Sequence, residues 1–333
     1  MGKRYSRVFL GLASLFSGLA ASLFIGLAAQ AKETGLIFIS LERDNVVVVL
    51  NPDLTENARI ETSRRPRDMQ FNRDHTLLYV ACGDDDSIDV IDVATLQVVD
   101  SIPTGPSPEV FAFSPDETQI YVSNEEDSTL EVLDLATKTV TARIAVGAEP
   151  EGVINSVDGT LVFVTSEVAD MVHVVDRATN VVTKNIIVGT RPRRFVVTPD
   201  GAELWVSDEL SSEVHVIDIA TLEVKEVLSF LPPGFRPEDV TPVGMAITAD
   251  GGKVLISLGR ANHLAVVDAK SRAVLGYVLV GSRAWDVALS RDETLAYVAN
   301  GLSDDITVVD MTSLRPTVSV PVGRTPHSIR IDD

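Results

Sequence analysis

Charged and aromatic side chains flank a proline that recurs along the chain, with Ala284 replacing it in one copy. The residues directly before the seven positions are Arg65, Ser107, Glu149, Arg191, Thr241, Arg283 and Thr325. Those directly after are Arg67, Glu109, Glu151, Arg193, Val243, Trp285 and His327, and Arg194 follows Arg193. Guanidinium groups bind carboxylates through paired hydrogen bonds, and an indole offers a flat surface for stacking. The pattern therefore predicts a binding site for a small anionic ligand.

A second interpretation is that these arginines and glutamates pair with one another and stay solvated, since surface ion pairs are common and individually weak. The glutamates are concentrated in two consecutive copies, which hold Glu109, Glu149 and Glu151. If a ligand does bind, this acidic side would repel its carboxylates toward the arginines.

The elements that position these residues are repeats of about 42 residues. Val110 to Gly147 contains four short runs with apolar residues at alternate positions, separated by turn-forming residues, which is typical of a four-stranded antiparallel unit. An aspartate ends the third run of successive units at Asp92, Asp134, Asp176, Asp218, Asp268 and Asp310. Four strands in each repeat of this length predict an all-β fold, a β-propeller.

The two ends of the chain complete one blade together. Gly35 to Thr62 contains the second, third and fourth runs of a unit, and Thr325 to Ile331 contains a first run alone. The sequence therefore predicts seven blades in one domain, residues 32–333, with a closing blade shared by both termini. Because first strands line the axis of a propeller, the side chains around the prolines should ring one mouth of the central channel.

Residues 1–31 are predicted to be a signal peptide. Lys3, Arg4 and Arg7 precede an uncharged run from residue 8 to residue 30, and Ala29-Gln30-Ala31 is typical of a cleavage site. A retained membrane anchor is the alternative. Either form predicts an exported, periplasmic propeller. The net charge of −20 argues against nucleic acid and anionic membranes as partners and favours a basic protein.

Short motifs in the repeats carry a family resemblance. Tyr121 to Asn124 (YVSN), residues 114–117 (SPDE), and residues 90–95 and 216–221 (VIDVAT and VIDIAT) resemble the YVTN-type β-propeller repeat. The chain is most similar to an exported propeller family associated with catabolism that depends on pyrroloquinoline quinone (PQQ). This resemblance implies a non-catalytic accessory of periplasmic quinoprotein alcohol oxidation, with PQQ as a candidate ligand. A quinoprotein dehydrogenase or a cytochrome c is the implied partner.

Two further features would serve docking to such a partner. Acidic loops between second and third strands should form a rim around the same mouth: Asp84, Asp85, Asp86, Glu125, Glu126 and Asp127. A single insertion lies between Asp218 and Pro242, and it carries Phe230 and Phe235. Acidic rims attract basic partners, and loops with apolar side chains often bind proteins.

Sequence motifs for catalysis are scarce. The chain has no HExxH, GxSxG, P-loop or CxxC motif, and His173 and His215 occupy equivalent strand positions. We therefore expect no catalytic residues and no metal site. The alternative hypothesis is a hydrolase of the lactonase type, in which Glu109, Glu151, Asp68 or Asp286 would hold a divalent metal together with His327.

Overall fold

The structure is a computed structural model that describes residues 1–2 and 34–333. The predicted signal peptide falls almost entirely outside the described residues. Within the described ranges, no helix is long and apolar enough to cross a membrane.

The described chain forms seven antiparallel sheets of four strands each. Blade 1 contains β1 (Leu36–Leu41), β2 (Val46–Leu50), β3 (Glu56–Glu61) and the last strand of the chain, β28 (Pro326–Asp332). Blade 2 contains β4 (Pro66–Phe71), β5 (Leu77–Cys82), β6 (Ser87–Asp92) and β7 (Gln97–Pro103). Blade 3 contains β8 (Pro108–Phe113), β9 (Gln119–Asn124), β10 (Thr129–Asp134) and β11 (Thr139–Ala145). Blade 4 contains β12 (Pro150–Asn155), β13 (Leu161–Ser166), β14 (Met171–Asp176) and β15 (Val181–Ile187).

The remaining three blades follow the same order. Blade 5 contains β16 (Pro192–Val197), β17 (Glu203–Asp208), β18 (Glu213–Asp218) and β19 (Glu223–Ser229). Blade 6 contains β20 (Met245–Ile247), β21 (Lys253–Ser257), β22 (His263–Asp268) and β23 (Val274–Leu279). Blade 7 contains β24 (Ala284–Leu289), β25 (Leu295–Asn300), β26 (Asp305–Asp310) and β27 (Arg315–Pro321). The predicted seven-bladed propeller is confirmed.

The shared closing blade is also confirmed. Strand β28 pairs antiparallel with β1, and Ile329 lies opposite Ile39. Asp332 at the end of β28 accepts hydrogen bonds from the backbone N–H of Thr34 at 3.1 Å and from the Thr34 hydroxyl. The His75 Nδ1 lies 3.0 Å from the other Asp332 oxygen, so the C-terminal strand is fastened to blade 2 as well. The ring is closed without an exposed sheet edge at this junction.

The repeated aspartates fix the outer hairpins. The Asp134 carboxylate accepts hydrogen bonds from the backbone N–H and the hydroxyl of Thr137, both at 2.8 Å, and the same pair of bonds recurs in other blades. These bonds satisfy backbone groups in the turn that no strand partner reaches. Repetition of this kind is structural, as the sequence predicted.

The residues before the prolines adopt an uncommon backbone conformation. Six of them have positive φ angles between 51° and 62°: Arg65, Ser107, Glu149, Arg191, Arg283 and Thr325. In several cases the side chain of an Asn or Asp in the preceding blade accepts a hydrogen bond from the backbone N–H of this residue. Asn45 accepts from Arg65 in this way at 3.0 Å. Non-glycine residues rarely adopt this conformation, so these bonds stabilise the turn that directs each chain segment into the channel.

The insertion packs onto the propeller. It contains a short 3₁₀-helix, Pro237–Asp239, and the inner strand β20 that follows is only three residues long. Phe230 is 2% exposed and packs in the core between blades 5 and 6. Phe235 is half-buried and lies edge-on to His263, with ring centroids 5.4 Å apart. The prediction that Phe230 docks a partner is corrected, because its ring is buried inside the protein.

Candidate functional site

The mouth of the channel opens into a cavity of about 340 Å³. Eight of the residues predicted from the sequence line it: Arg65, Arg67, Glu151, Arg191, Arg193, Arg283, Trp285 and His327. Three do not. Glu109 is fully buried behind the cavity, and Glu149 is exposed in a surface depression beside Arg65 and Glu125. Arg194 lines a different cavity at the opposite end of the channel. The predicted residues that line the site therefore come from the inner strands, and the turns that lead into them, of five blades.

One group of ion pairs lies between blades 1, 2 and 3. The Glu109 carboxylate accepts hydrogen bonds from Arg65 at 2.9 Å and contacts the Arg67 guanidinium through its other oxygen. Glu42 lies 3.4 Å from Arg65 Nε and 3.3 Å from Arg67 Nη1. Both arginines are thus held between two carboxylates, which fixes their direction at the cavity wall.

A second group joins blades 4, 5 and 7. Glu151 lies 3.1 Å from Arg194 and 3.7 Å from Arg193. Glu167 accepts from Arg191 Nε at 2.5 Å and also contacts Arg193. Glu209 is shared by three arginines. It lies 3.4 Å from Arg191, 3.6 Å from Arg193 and 3.6 Å from Arg283.

The aromatic side of the cavity is formed by Trp285 and His327. The guanidinium carbons of Arg283 and Arg193 lie 4.7 Å and 5.0 Å from the indole centroid, a cation–π arrangement. The His327 ring is tilted against the indole with centroids 5.5 Å apart. His327 is 2% exposed, and neither ring nitrogen has a hydrogen-bond partner within the described part of the chain.

Close backbone approach of the inner strands narrows the channel. A side chain at Gly152 would collide with the Arg193 carbonyl, and one at Gly244 would collide with the Trp285 carbonyl. The Gly244 N–H donates to that carbonyl at 2.9 Å. Only glycine permits these contacts, which bring the functional strands β16 and β24 against their neighbours.

The buried position separates the pKa values of the two central glutamates. Burial raises the pKa of Glu109 to about 8. The Arg67 charge opposes this shift, and the Glu151 charge adds to it. Burial also opposes ionisation of Glu151, but Arg193, Arg194 and Arg67 outweigh it and lower the pKa of Glu151 to about 2. The two carboxyl groups therefore titrate as a coupled pair, with the pKa of Glu109 raised and that of Glu151 lowered.

His327 is uncharged near neutral pH. Burial and the nearby arginines lower the pKa of His327 well below its usual value of 6.5. A neutral imidazole has one nitrogen that accepts a proton and one that donates. The cavity thus combines a neutral imidazole with several fixed guanidinium groups.

A divalent metal does not fit the carboxylates named for the lactonase hypothesis. Glu109 and Glu151 face arginines, and Asp68 and Asp286 are joined to Arg330 at 2.7 Å and 3.0 Å. Guanidinium groups occupy the oxygen atoms that a metal would need and repel a cation. Among the described residues, no group of three His, Cys, Asp or Glu side chains could hold a metal ion.

Sequence reasoning missed part of the glutamate ring. Glu42, Glu167 and Glu209 are not among the site residues predicted from the sequence. These residues directly follow the second strands β1, β13 and β17, so they occupy one register position of the repeat. Aligning that position across blades would have located them.

His173 and His215 have structural roles. His173 Nε2 accepts from the backbone N–H of Gly147 at 2.8 Å, and Asp89 and Glu131 accept from loop N–H groups at the same strand position. His215 Nδ1 lies 2.7 Å from Asp208, and burial raises the pKa of Asp208 to about 6. These side chains fasten the loops between blades.

The rim residues divide into two kinds. All of them except Glu125 are exposed, and the side chains of Asp84, Glu126 and Asp127 accept no hydrogen bond from a neighbouring loop among those found in residues 34–333. Asp85 accepts from Arg64, and Asp86 accepts from the backbone N–H of Ser107 at 3.0 Å, so these two stabilise loops. Glu125 is half-buried, 3.7 Å from Arg65. Docking by this rim remains a prediction.

The fold and the site define a seven-bladed β-propeller with a charged channel mouth. Residues 153–326, just over half of the chain, match the model of the lactonase, 7-bladed β-propeller family. The chain therefore belongs to that family. Residues 72–160 match a YNCE-like β-propeller model. The narrower resemblance to the PQQ-associated family is not confirmed by these matches.

Solved structures with this fold are numerous and distant in sequence. The periplasmic gluconolactonase PpgL of Pseudomonas aeruginosa is 20% identical with a TM-score of 0.76, covering 89% of this chain and 98% of that one. Kuenenia stuttgartiensis hydrazine synthase is 20% identical with a TM-score of 0.76, covering 88% and 99%. A candidate 6-phosphogluconolactonase from Bacteroides uniformis is 15% identical with a TM-score of 0.74, covering 89% and 98%. No curated protein sequence matches the chain.

Proposed function

We propose that the channel mouth binds a small sugar lactone and hydrolyses it to the hydroxy acid. The observation that carries this proposal is the buried, neutral His327 at the wall of the arginine-lined cavity. Family membership supports the same reaction class, and one structural relative is named a gluconolactonase. The comparisons favour this function over the non-catalytic accessory that the sequence resemblance implied.

Lactone hydrolysis needs three groups, and the cavity offers one for each. Water adds to the ring carbonyl, so a base must take a proton from the water, and His327 has an unprotonated nitrogen available. Negative charge develops on the carbonyl oxygen, and the fixed guanidinium groups of Arg67 and Arg193 stabilise it. The ring oxygen leaves as a hydroxyl group once it receives a proton, which the imidazolium formed in the first step can return.

The remaining residues bind and orient the lactone. Trp285 presents an indole face to the C–H groups of a sugar ring. Glu42, Glu167 and Glu209 hold the arginines in place, so little reorganisation accompanies the reaction. No metal is required by this mechanism.

The test is hydrolysis of D-glucono-δ-lactone above its spontaneous rate, followed by acid release in a weakly buffered solution. We expect His327→Gln to lower kcat by roughly 100-fold or more, the usual contribution of a general base. His263→Gln is the matched control, because His263 lies on β22 outside the channel. Equal rates for wild type and His327→Gln, or no rate above background for any sugar lactone, would overturn the proposal.

The accessory function remains a second proposal. The exposed acidic loops at the rim support docking of a basic protein such as a cytochrome c, and PQQ remains a candidate ligand of the mouth. A purified protein that hydrolyses no lactone but binds a basic periplasmic protein, with weaker binding at higher salt, would favour this function.

A further inference from the structure

A second cavity lies at the opposite end of the channel. Its volume is about 410 Å³, and it is lined by the later residues of the inner strands, including Asp68, Asn155, Arg194 and Arg330. His327 borders this cavity and the mouth cavity, so its ring separates the two. Apart from His327, the proposed hydrolysis uses none of the polar groups of this second cavity.

Several buried polar atoms facing this space lack a hydrogen-bond partner among residues 34–333. They are Arg194 Nη1, Asn155 Oδ1 and both ring nitrogens of His327. The other Arg194 nitrogen is held by Glu151 at 3.1 Å, and the Asn155 amide nitrogen donates to the Phe113 carbonyl at 2.8 Å. Both side chains are therefore fixed with one polar atom left over. A buried polar atom without a partner is unfavourable, which points to a ligand that supplies one.

On the other side of the cavity, two carboxylates share one guanidinium group. Arg330 joins Asp68 at 2.7 Å and Asp286 at 3.0 Å, and Asp286 also accepts from the Ser328 hydroxyl at 3.2 Å. These carboxylates can accept hydrogen bonds from hydroxyl groups, whereas the free Arg194 N–H requires an acceptor. Apolar side chains such as Phe113, Phe195 and Met245 complete the wall.

We propose that this second cavity binds a small carboxylate that carries several hydroxyl groups. The carboxylate would accept from Arg194, and the hydroxyl groups would donate to Asn155 and Asp68. The hydroxy acid released by lactone hydrolysis belongs to this class, and that last link alone rests on the proposed function.

Sodium gluconate is the probe, and three matched ligands define the chemistry. Hexanoate keeps the carboxylate without hydroxyl groups, and sorbitol keeps the hydroxyl groups without the carboxylate. We expect calorimetry to show saturable gluconate binding, with at least tenfold weaker binding of hexanoate and sorbitol.

Variants assign the site. Asn155→Asp keeps the size of the side chain but adds a negative charge, and Asn155→Leu removes the acceptor; each should weaken gluconate binding at least tenfold. Trp285→Leu alters only the mouth and should leave this binding unchanged. The protein has two tryptophans, Trp205 in blade 5 and Trp285 at the mouth, so the fluorescence difference between wild type and Trp285→Leu isolates the signal from the mouth. Melting temperatures confirm that each variant is folded.

The results separate this proposal from the proposed hydrolysis. Loss of gluconate binding in both Asn155 variants with unchanged lactone turnover supports the second site. Wild-type affinity in folded Asn155→Asp, equal affinity for hexanoate, or the absence of any saturable binding overturns it, whether or not lactones are hydrolysed. Gluconate binding without lactone hydrolysis would reject the proposed function and leave the second site supported.

Discussion

Substituting Glu151 with Gln tests whether the ion pairs at the mouth are structural parts of a buried network. Glu151 is 2% exposed, and its oxygens lie within 3.1 to 3.7 Å of Arg194, Arg193 and Arg67. Gln keeps the shape but leaves three guanidinium groups without a shared counter-charge. We expect a loss of stability because the remaining cations stay buried.

Two arguments give the expected loss of unfolding free energy in Glu151→Gln. Removing one partner of a buried ion pair costs about 3–5 kcal/mol. Lowering the Glu151 pKa from 4.5 to about 2 corresponds to about 3 kcal/mol of favourable interaction with the charged form. Because unfolding entropy scales with chain length, a loss of about 3 kcal/mol should lower Tm by about 5 °C for a domain of this size.

The stabilisation should depend on pH in a defined direction. A lowered carboxyl pKa stabilises the fold above the unfolded pKa, and the effect is lost as pH falls through the folded value. The wild type and Glu151→Gln should therefore converge as pH falls from 4.5 toward 2. Glu109 should behave oppositely: its raised pKa favours the fold at low pH, and this contribution is lost as pH rises through about 8. Glu109→Gln should accordingly match or exceed wild-type stability above pH 8.

The assay is urea unfolding of the two variants at pH 4, 7 and 9, with Glu149→Gln as the matched control. Glu149 lies two residues before Glu151 and is exposed, so its substitution should change the unfolding free energy by less than about 0.5 kcal/mol. Glu151→Gln within that range at pH 7, or equal losses for Glu109→Gln and Glu151→Gln at every pH, would refute the buried network.

Further predictions concern closure, the rim and the mouth charges. Deleting residues 325–333 should abolish cooperative unfolding, and wild-type melting of the truncated protein would contradict closure by β28. Asp332→Asn should lower the unfolding free energy measured in urea by about 1–3 kcal/mol, because Asp332 fastens the closing strand to Thr34 and His75. Neutralising the exposed rim residues Asp84, Glu126 and Asp127 should slow association with a basic redox protein and flatten its salt dependence in stopped-flow experiments, and an unchanged rate at low salt would exclude the rim. Glu209→Gln should strengthen the binding of citrate or PQQ measured by calorimetry, because Arg191, Arg193 and Arg283 each lose a carboxylate partner. Unchanged affinity would show that these arginines do not face the ligand.

The fold could be predicted from the sequence because the scaffold interactions are local and repeated. The aspartate that ends each third strand binds the turn three residues later, so its spacing reports the hairpin directly. The split blade was equally readable, since one end of the chain lacks a first strand and the other end supplies it.

Most of the residues that line the mouth could be predicted from the sequence, but the direction of each side chain could not. Arg193 and Arg194 are neighbours on β16, yet one lines the mouth and the other lines the opposite cavity. Glu149 and Glu151 flank the same proline, but the first precedes the strand with a positive φ and faces solvent, whereas the second enters the channel. Successive strand residues point to opposite sides, and the turn geometry that decides which side is inner arises from contacts with the preceding blade.

Charge balance at the mouth favours a neutral substrate over a free polyanion. From the sequence, the arginines formed a cationic cluster suited to a multiply charged anion. In the structure, Glu42, Glu167 and Glu209 enter from neighbouring loops and pair with those arginines. A polyanion such as PQQ would have to compete with these fixed carboxylates and would be repelled by them. A lactone carries no charge until its carbonyl is attacked, and the arginines, already oriented by their glutamates, then interact most strongly with the charge that develops. This arrangement supports the proposed hydrolysis, because it suits the charge of a transition state better than a bound anion.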